Sequence, residues 1–195
     1  MPAAGVILVG GRASRFGGRP KGLERIGGRP IVDRVLEALR SVTDDVVLAG
    51  GGEELARVLG VPAVADEEAG LGPLGGIAGA LAATGKDALV VAWDMPWVTA
   101  AALRPLLEAP DDGAGAAWRA GGEIEPLCAL YRQRALPSIR AMLGAGERRA
   151  RAAAEALGLM LLDASALDAR TFASINTPGD LAVAEDFFHG HRAAP

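Results

Sequence analysis

A segment that is rich in glycine and arginine and ends in a lysine follows the first apolar run of the sequence. Residues 5–9 form the run, and residues 10–21 behind it contain four glycines, three arginines and Lys21. Glycines let backbone N–H groups approach an anion, while arginine and lysine side chains neutralise phosphate charge. This composition predicts a polyphosphate-binding loop in which Arg15 and Lys21 contact the phosphates. A flexible basic surface loop has the same composition, but a position directly after a strand favours phosphate binding.

Two other glycine patterns of nucleotide-binding proteins do not fit this chain. The loop lacks the Gly-Lys-Ser or Gly-Lys-Thr of a Walker A motif, which weighs against ATPases and GTPases of that class. Gly70, Gly72 and Gly75 match the spacing G-x-G-x-x-G, but they follow the third apolar run and have Pro73 among them. A lone match of this kind is weak evidence, and we do not interpret it as a dinucleotide-binding motif.

An aspartate follows another apolar run directly. Residues 88–93 form this run, Asp94 comes next, and Pro96 ends the strand pattern. Mg²⁺ prefers oxygen ligands and typically takes one or two carboxylates together with substrate phosphates. Asp94 is therefore a candidate metal ligand at the edge of a sheet. The alternative is an ordinary aspartate in a turn or at the start of a helix.

Short apolar runs and helical patterns alternate along the chain. The runs that predict strands are residues 5–9, 45–49, 61–65 and 88–93, and residues 114–119 and 127–131 predict a hairpin. Helices are predicted from Ile31, over residues 74–83, 100–107, 134–143 and 148–157, and from Thr177 onward. This alternation predicts an α/β sandwich with a mostly parallel, Rossmann-like sheet. Ligands bind beyond the carboxyl ends of such strands, so the glycine-rich loop and Asp94 should share a site.

Length and composition narrow the possible functions. The 195 residues suit one domain, predicted to span 1–195. A formal charge of -4 weighs against nucleic acid as a partner, and the single cysteine, Cys128, excludes an internal disulfide. The two histidines, His189 and His191, lie in a polar tail, which weighs against histidine catalysis and zinc. No apolar run approaches the roughly 18 residues of a membrane span, and we expect a soluble, cytoplasmic protein.

The loop motif also resembles that of a known family. Leu8, Gly10, Gly11, the run Ser14-Arg15-Phe16-Gly17 and Lys21 look, in type and spacing, like the signature of the molybdenum cofactor guanylyltransferases and related nucleotidyltransferases. Three later segments resemble the same family in the same order: residues 125–131, 146–149 and 172–178. The resemblance covers about residues 5–181. It implies a three-layer fold of the nucleotide-diphospho-sugar transferase type.

The resemblance implies a reaction and a set of site residues. GMP would be transferred from GTP to the phosphate of molybdopterin, with Mg²⁺ as cofactor and release of pyrophosphate. Lys21, Arg15 and Asp94 would be catalytic, with Asp94 as the metal ligand. The nucleotide would contact a larger group of residues. These are Leu8, Val9, Gly10, Gly11, Lys21, Asp66, Gly72, Pro73, Leu74 and Gly75.

The acceptor side of the site is predicted from the later segments. Arg148 and Arg149 could meet the phosphate of a pterin, and Asn176 could bind its amide-like edge through paired donors and acceptors. Solvated helix residues and a helix cap are the alternatives for these positions. Other proteins of cofactor biosynthesis and apo-molybdoenzymes would be the partners, with no nucleic acid and no membrane.

Two departures from the family pattern leave other functions open. Ala49 and Ser174 stand where the family often has asparagine. One alternative is a cytidylyltransferase, or another small-molecule nucleotidyltransferase of the same fold. The other is a non-catalytic nucleotide-binding relative. Gly10-Gly11 and the ending at residues 174–178 favour the guanylyl branch, while Lys21 and Asp94 favour an active enzyme.

Overall fold

A seven-stranded sheet forms the centre of the computed structural model, which describes residues 3–10, 21–50, 52–65 and 70–192. Its strands, in the order in which they lie side by side, are β5 (Ala63–Val64), β4 (Val46–Ala49), β1 (Ala3–Leu8), β6 (Asp87–Ala92), β8 (Glu123–Tyr131), β7 (Gly115–Ala120) and β9 (Met160–Asp163). Only β8 runs antiparallel to its neighbours in this sheet, and the other pairs are parallel. The predicted α/β fold with a mostly parallel sheet is confirmed.

Helices cover both faces of this sheet, with one hydrophobic core on each face. A third, smaller core lies at one side. Their bounds are α1 (Ile31–Arg40), α2 (Glu53–Leu59), α3 (Gly72–Thr84), α4 (Ala100–Leu107), α5 (Leu136–Gly144), α6 (Ala150–Ala156) and α7 (Pro178–Arg192). One face is packed by α1, α2 and α4 and the other by α3, α5 and α6. The third core joins α7 to a small hairpin, β2 (Arg25–Ile26) with β3 (Arg29–Pro30). None of the helices in the described ranges is long and apolar enough to cross a membrane.

Strand β1 shows why the sheet is covered on both faces. Its residues Ala4–Leu8 are all buried, with Ile7 in the core on the α1 side and Val6 and Leu8 in the core on the α3 side. Side chains alternate between the faces of a strand, so a continuous apolar run requires a helical layer on each side. The sequence of β1 therefore determines the middle layer of a three-layer sandwich.

A buried ion pair holds the amino end of β6. The guanidinium of Arg132 donates to the Asp87 carboxylate at 3.0 Å and to the carbonyl of Ala109 at 2.7 Å, and the backbone N–H of Gln133 donates to the same carboxylate at 2.8 Å. Both ionic side chains are 5% exposed. Water screens such a pair little, and either charge left alone would be strongly unfavourable.

Replacing Asp87 with alanine should therefore destabilise the fold. We expect Asp87→Ala to lower the free energy of unfolding by about 3–5 kcal/mol, because Arg132 would lose its buried carboxylate and keep only the half-exposed Asp111, at 3.3 Å. The matched control is Asp45→Ala, which removes the surface pair with Lys86 and should cost no more than about 1 kcal/mol. Urea unfolding of both variants and the parent measures the difference. Equal losses of unfolding free energy in the two variants would contradict a structural role for the buried Asp87–Arg132 pair.

Candidate active site

A cavity of about 280 Å³ lies beyond the carboxyl ends of β1 and β6. Its lining comes from six parts of the chain: the end of β1, the turn that begins at Lys21, the start of α3, the end of β6 with the residues after it, β8, and the segment before α7. This is the edge of the sheet at which open α/β folds bind ligands. The polar residues among the lining are Lys21, Asp94, Ser174 and Asn176.

Three polar side chains from distant segments meet in this cavity. Lys21 Nζ donates to the Asp94 carboxylate and to Asn176 Oδ1, the latter at 2.9 Å. The Lys21 and Asp94 side chains are only 15% and 9% exposed. The backbone strengthens the arrangement, because the Ile175 N–H donates to the Asp94 carbonyl at 2.9 Å. A cation held between two oxygen acceptors can compensate anionic charge that enters the cavity.

Gly22 determines how closely Lys21 can approach the strand end. Residues 21–23 form a 3-10 turn that packs on the Trp93 indole. A Cβ on Gly22 would lie 2.3 Å from Trp93 Cε3, so no side chain fits without moving the ring. Trp93 is 6% exposed and belongs to the core on the α1 side. The glycine therefore fixes Lys21 against a rigid surface.

The N-terminus of α3 forms another wall of the cavity through Pro73. Gly72 begins the helix with φ +66°, which a residue with a Cβ adopts only with strain. No described side chain caps this helix start, and its first turn contains no acidic residue. Unpaired N–H groups and the helix dipole make such an end favourable for an anion. Leu74 and Gly75 are buried behind it and pack α3 against the sheet.

The structure brings six of the predicted site residues to this cavity: Leu8, Gly10, Lys21, Pro73, Asp94 and Asn176. Four other predicted residues lie next to these in the sequence but do not line the cavity: Val9, Gly72, Leu74 and Gly75. Gly11, Arg15 and Asp66 lie outside the described residues. Their predicted contacts with nucleotide therefore stay predictions.

Arg148 and Arg149 lie at the start of α6 and not in the cavity lining. Arg148 donates to the carbonyl of Leu143 at 2.6 Å, and Arg149 donates to the Glu147 carboxylate at 2.8 Å. The bond from the Arg149 side chain, with backbone N–H donors beside it, lowers the pKa of Glu147 to about 2. The Arg148 carbonyl would lie 3.4 Å from a Cβ on Gly72, so this segment borders the start of α3. Their role toward an acceptor stays a prediction.

Leu127 is a cavity residue that the sequence analysis did not identify. The register between β7 and β8 shifts here: Ala117 pairs with Ala129, and Trp118 pairs with Glu125. This irregularity brings Leu127 to the cavity wall. Burial raises the pKa of Glu125, and the Asp94 charge adds to that effect. Pro126, directly before the strand predicted over residues 127–131, was the available signal, since proline interrupts pairing in a sheet.

Comparison with known proteins points to one family. Residues 5–160 match the family described as MobA-like NTP transferase domain. The chain is 37% identical over 186 residues to the molybdenum cofactor guanylyltransferase of Cereibacter sphaeroides, covering 93% of this chain and 94% of that protein. It is 35% identical to the protein of the same name from Rhodobacter capsulatus, and the match covers 95% of this chain and 96% of that protein.

Solved structures agree with this result. The structure of molybdopterin-guanine dinucleotide biosynthesis protein A from Archaeoglobus fulgidus superposes with a TM-score of 0.81 at 26% identity, covering 96% of this chain and 99% of that one. The 4-diphosphocytidyl-2C-methyl-D-erythritol synthase of Anaerococcus prevotii superposes with a TM-score of 0.72 at 10% identity, covering 96% of each chain. The second likeness shows a shared fold alone.

The contact between Gly22 and Trp93 yields a stability prediction. Gly22→Ala should lower the free energy of unfolding by about 1–3 kcal/mol, because the added methyl group displaces the buried indole. Gly144→Ala is the control, since a Cβ there meets nothing within 4 Å and lies in a helix. Urea unfolding followed by tryptophan fluorescence measures both. A Gly22→Ala variant as stable as the parent would contradict the packing.

Proposed function

The chain belongs to the MobA-like NTP transferase family, and we propose that it is a molybdenum cofactor guanylyltransferase. It transfers GMP from GTP to the phosphate of molybdopterin and releases pyrophosphate. Relatives of that name match nearly the whole chain and are themselves matched over nearly their whole length. The recognition of this family from its loop motif is confirmed. The observation that carries the proposal is the convergence of Lys21, Asp94 and Asn176 beside the N-terminus of α3.

The proposed reaction needs no nucleophilic side chain. An oxygen of the acceptor phosphate forms a bond to the α-phosphorus of GTP, and the bond from that phosphorus to the oxygen bridging the β-phosphate breaks. Catalysis of this kind consists of positioning and charge stabilisation. Lys21 and the N-terminal turn of α3 supply positive potential to the triphosphate, and Arg15 is proposed to add to it. Cys128 takes no part, since burial raises the pKa of its thiol and keeps it protonated.

Magnesium is part of the proposal, and the residues present fit it. The Asp94 carboxylate and Asn176 Oδ1 both accept from the Lys21 ammonium, so two oxygen ligands already flank a positive charge. No group of three or more His, Cys, Asp or Glu in the described ranges could hold a metal ion. Mg²⁺ commonly completes its ligand set with substrate phosphates and water, so Asp94 and Asn176 would hold it with GTP. Bound there, it would neutralise charge on the phosphate oxygens.

The remaining contacts are proposed from family membership. The nucleotide is assigned to Leu8, Val9, Gly10, Gly11, Asp66 and residues 72–75, and the acceptor to Arg148, Arg149 and Asn176. Residues 1–195 form a single nucleotidyltransferase domain in this proposal. We place the protein in the cytoplasm, with other proteins of cofactor biosynthesis and apo-molybdoenzymes as its partners. Support for one domain comes from the sheet, which joins strands from both halves of the chain.

Pyrophosphate release with different nucleotides tests the proposal. With molybdopterin and Mg²⁺, the purified protein should release pyrophosphate with GTP and not with CTP or ATP. Lys21→Ala should lower the GTP rate on the order of a hundredfold or more, because a charge at the transferring phosphates is lost. Lys86→Ala is the matched control, since the side chain of this other lysine of the sequence pairs with Asp45 and lies outside the cavity lining. Its rate should equal that of the parent.

Other outcomes would change the assignment. Release with CTP alone would place the protein among cytidylyltransferases, and nucleotide binding without release would indicate a non-catalytic relative. Equal rates in the Lys21 and Lys86 variants would remove Lys21 from the mechanism.

A further inference from the structure

A second cavity, of about 270 Å³, adjoins the first at Ser174, which lines both. It lies between the loop after β6, the segment before α7 and α7 itself, and most of its lining is apolar. The separating segment is anchored, because Ile175 is 3% exposed and its N–H donates to the Asp94 carbonyl. The volume is close to the lower end of small-ligand sites, about 300 Å³.

Its walls present aromatic faces and one guanidinium. Trp97 and Phe187 meet edge to face, with centroids 5.6 Å apart and planes at 90°. The Arg170 guanidinium carbon lies 3.5 Å from the Phe187 ring centroid, and Asp168 binds the same guanidinium at 2.5 Å. The cavity thus already packs one planar group against an aromatic ring. A planar heterocycle is the ligand class that such walls favour.

A fixed carboxylate completes the lining. Asp180 Oδ2 accepts from the backbone N–H groups of Asn176 and Thr177, both at 2.8 Å, and the Asp180 N–H donates to Thr177 Oγ1. This is the capping box of α7, which holds the carboxylate rigidly. Oδ1 takes part in neither bond and can accept an N–H from a ligand, such as one at the amino edge of a 2-amino-4-oxo pterin.

The helices that line the two cavities lie toward opposite faces of the sheet. Pro73 at the start of α3 lines the first cavity, and α3 packs on one face. Ile175 and α7 pack with Ile26 and Ile31, the residue that begins α1, and α1 covers the other face. In-line transfer requires the acceptor and the leaving pyrophosphate on opposite sides of the α-phosphorus. A triphosphate at α3 therefore leaves the α7 side for the acceptor.

We propose that the second cavity binds the pterin ring of the acceptor, so that the acceptor phosphate reaches Lys21 and Asn176 past Ser174. This inference rests on the proposed function and gives the acceptor a binding place that Arg148 and Arg149 do not supply. Trp97, Phe187 and Arg170 contact the faces of the ring, and Asp180 accepts from its amino edge. Guanine carries a similar edge, so the test must separate the two substrates.

Val183 offers a substitution that disturbs this cavity and not the fold. It lines the cavity and is 72% exposed, so Val183→Gln adds a longer polar side chain without opening the core. We expect the KM for molybdopterin to rise roughly tenfold, while the KM for GTP and kcat stay unchanged. Val58→Gln is the matched control, because Val58 is 73% exposed on α2 and lines neither cavity. Phe187→Leu, which keeps apolar bulk and removes the ring, should act like Val183→Gln.

Each other result overturns the inference. A rise in the KM for GTP would assign the cavity to the guanine base. An unchanged KM for molybdopterin in both cavity variants, or an equal rise in Val58→Gln, would exclude a pterin subsite and favour another occupant, such as a partner protein.

A binding titration separates this inference from the proposed function. Neopterin is fluorescent and uncharged, so its affinity can be measured without catalysis. If the parent transferred no GMP, the proposed function would fail, yet weaker neopterin binding by Val183→Gln than by the parent and Val58→Gln would still support the subsite. Equal neopterin binding by all three proteins would overturn it.

Discussion

The contact of the Lys21 ammonium with the Asp94 carboxylate and the Asn176 amide is the interaction on which the rest of the site depends. It joins residues 73 and 155 positions apart in the chain, and the Lys21 and Asp94 side chains are largely withdrawn from water while Asn176 is exposed. Such a contact survives only if the backbone holds all three groups in place, because the two charged groups lose hydration on burial. The ends of β1 and β6, the turn on Trp93 and the start of α7 provide that support. The chemistry is therefore a consequence of how the sheet edge is built.

Strand β6 carries polar anchors at both of its ends. At its amino end Asp87 binds the buried Arg132, and beyond its carboxyl end Asp94 binds Lys21 through its side chain and Ile175 through its carbonyl. Between them, every residue of the strand is buried and paired to β1 on one side, with β8 on the other. A strand fixed in this way can place a carboxylate precisely enough for phosphate chemistry, which depends on positioning. The cavity next to it, at Trp97 and Phe187, uses the same loop as a wall.

Local patterns predicted the central elements and the heart of the site, and tertiary contacts determined the rest. The apolar runs of β1, β4 and β6 are long enough to indicate buried strands, and the rule for sheet edges placed Lys21 and Asp94 together. Strand β9 has exposed ends and only four residues, β2 and β3 have two residues each, and α2 buries only Ala56 and Leu59, so their signals were too weak. The run at residues 61–65 was too long, since only Ala63–Val64 pair with β4. Leu127 at the cavity, and the meeting of Trp97 with Phe187 across 90 positions, follow from packing that no local pattern encodes.

The most direct test of the central claim is a double-mutant cycle on Lys21 and Asp94, measured as kcat/KM for GMP transfer. Residues that act as one unit are strongly non-additive, so the effect of a second removal falls when the first partner is gone. The account predicts that Lys21→Ala combined with Asp94→Asn is little slower than the slower single variant. Losses that multiply across the two substitutions would mean that Lys21 and Asp94 act independently, which would contradict a single phosphate and metal centre.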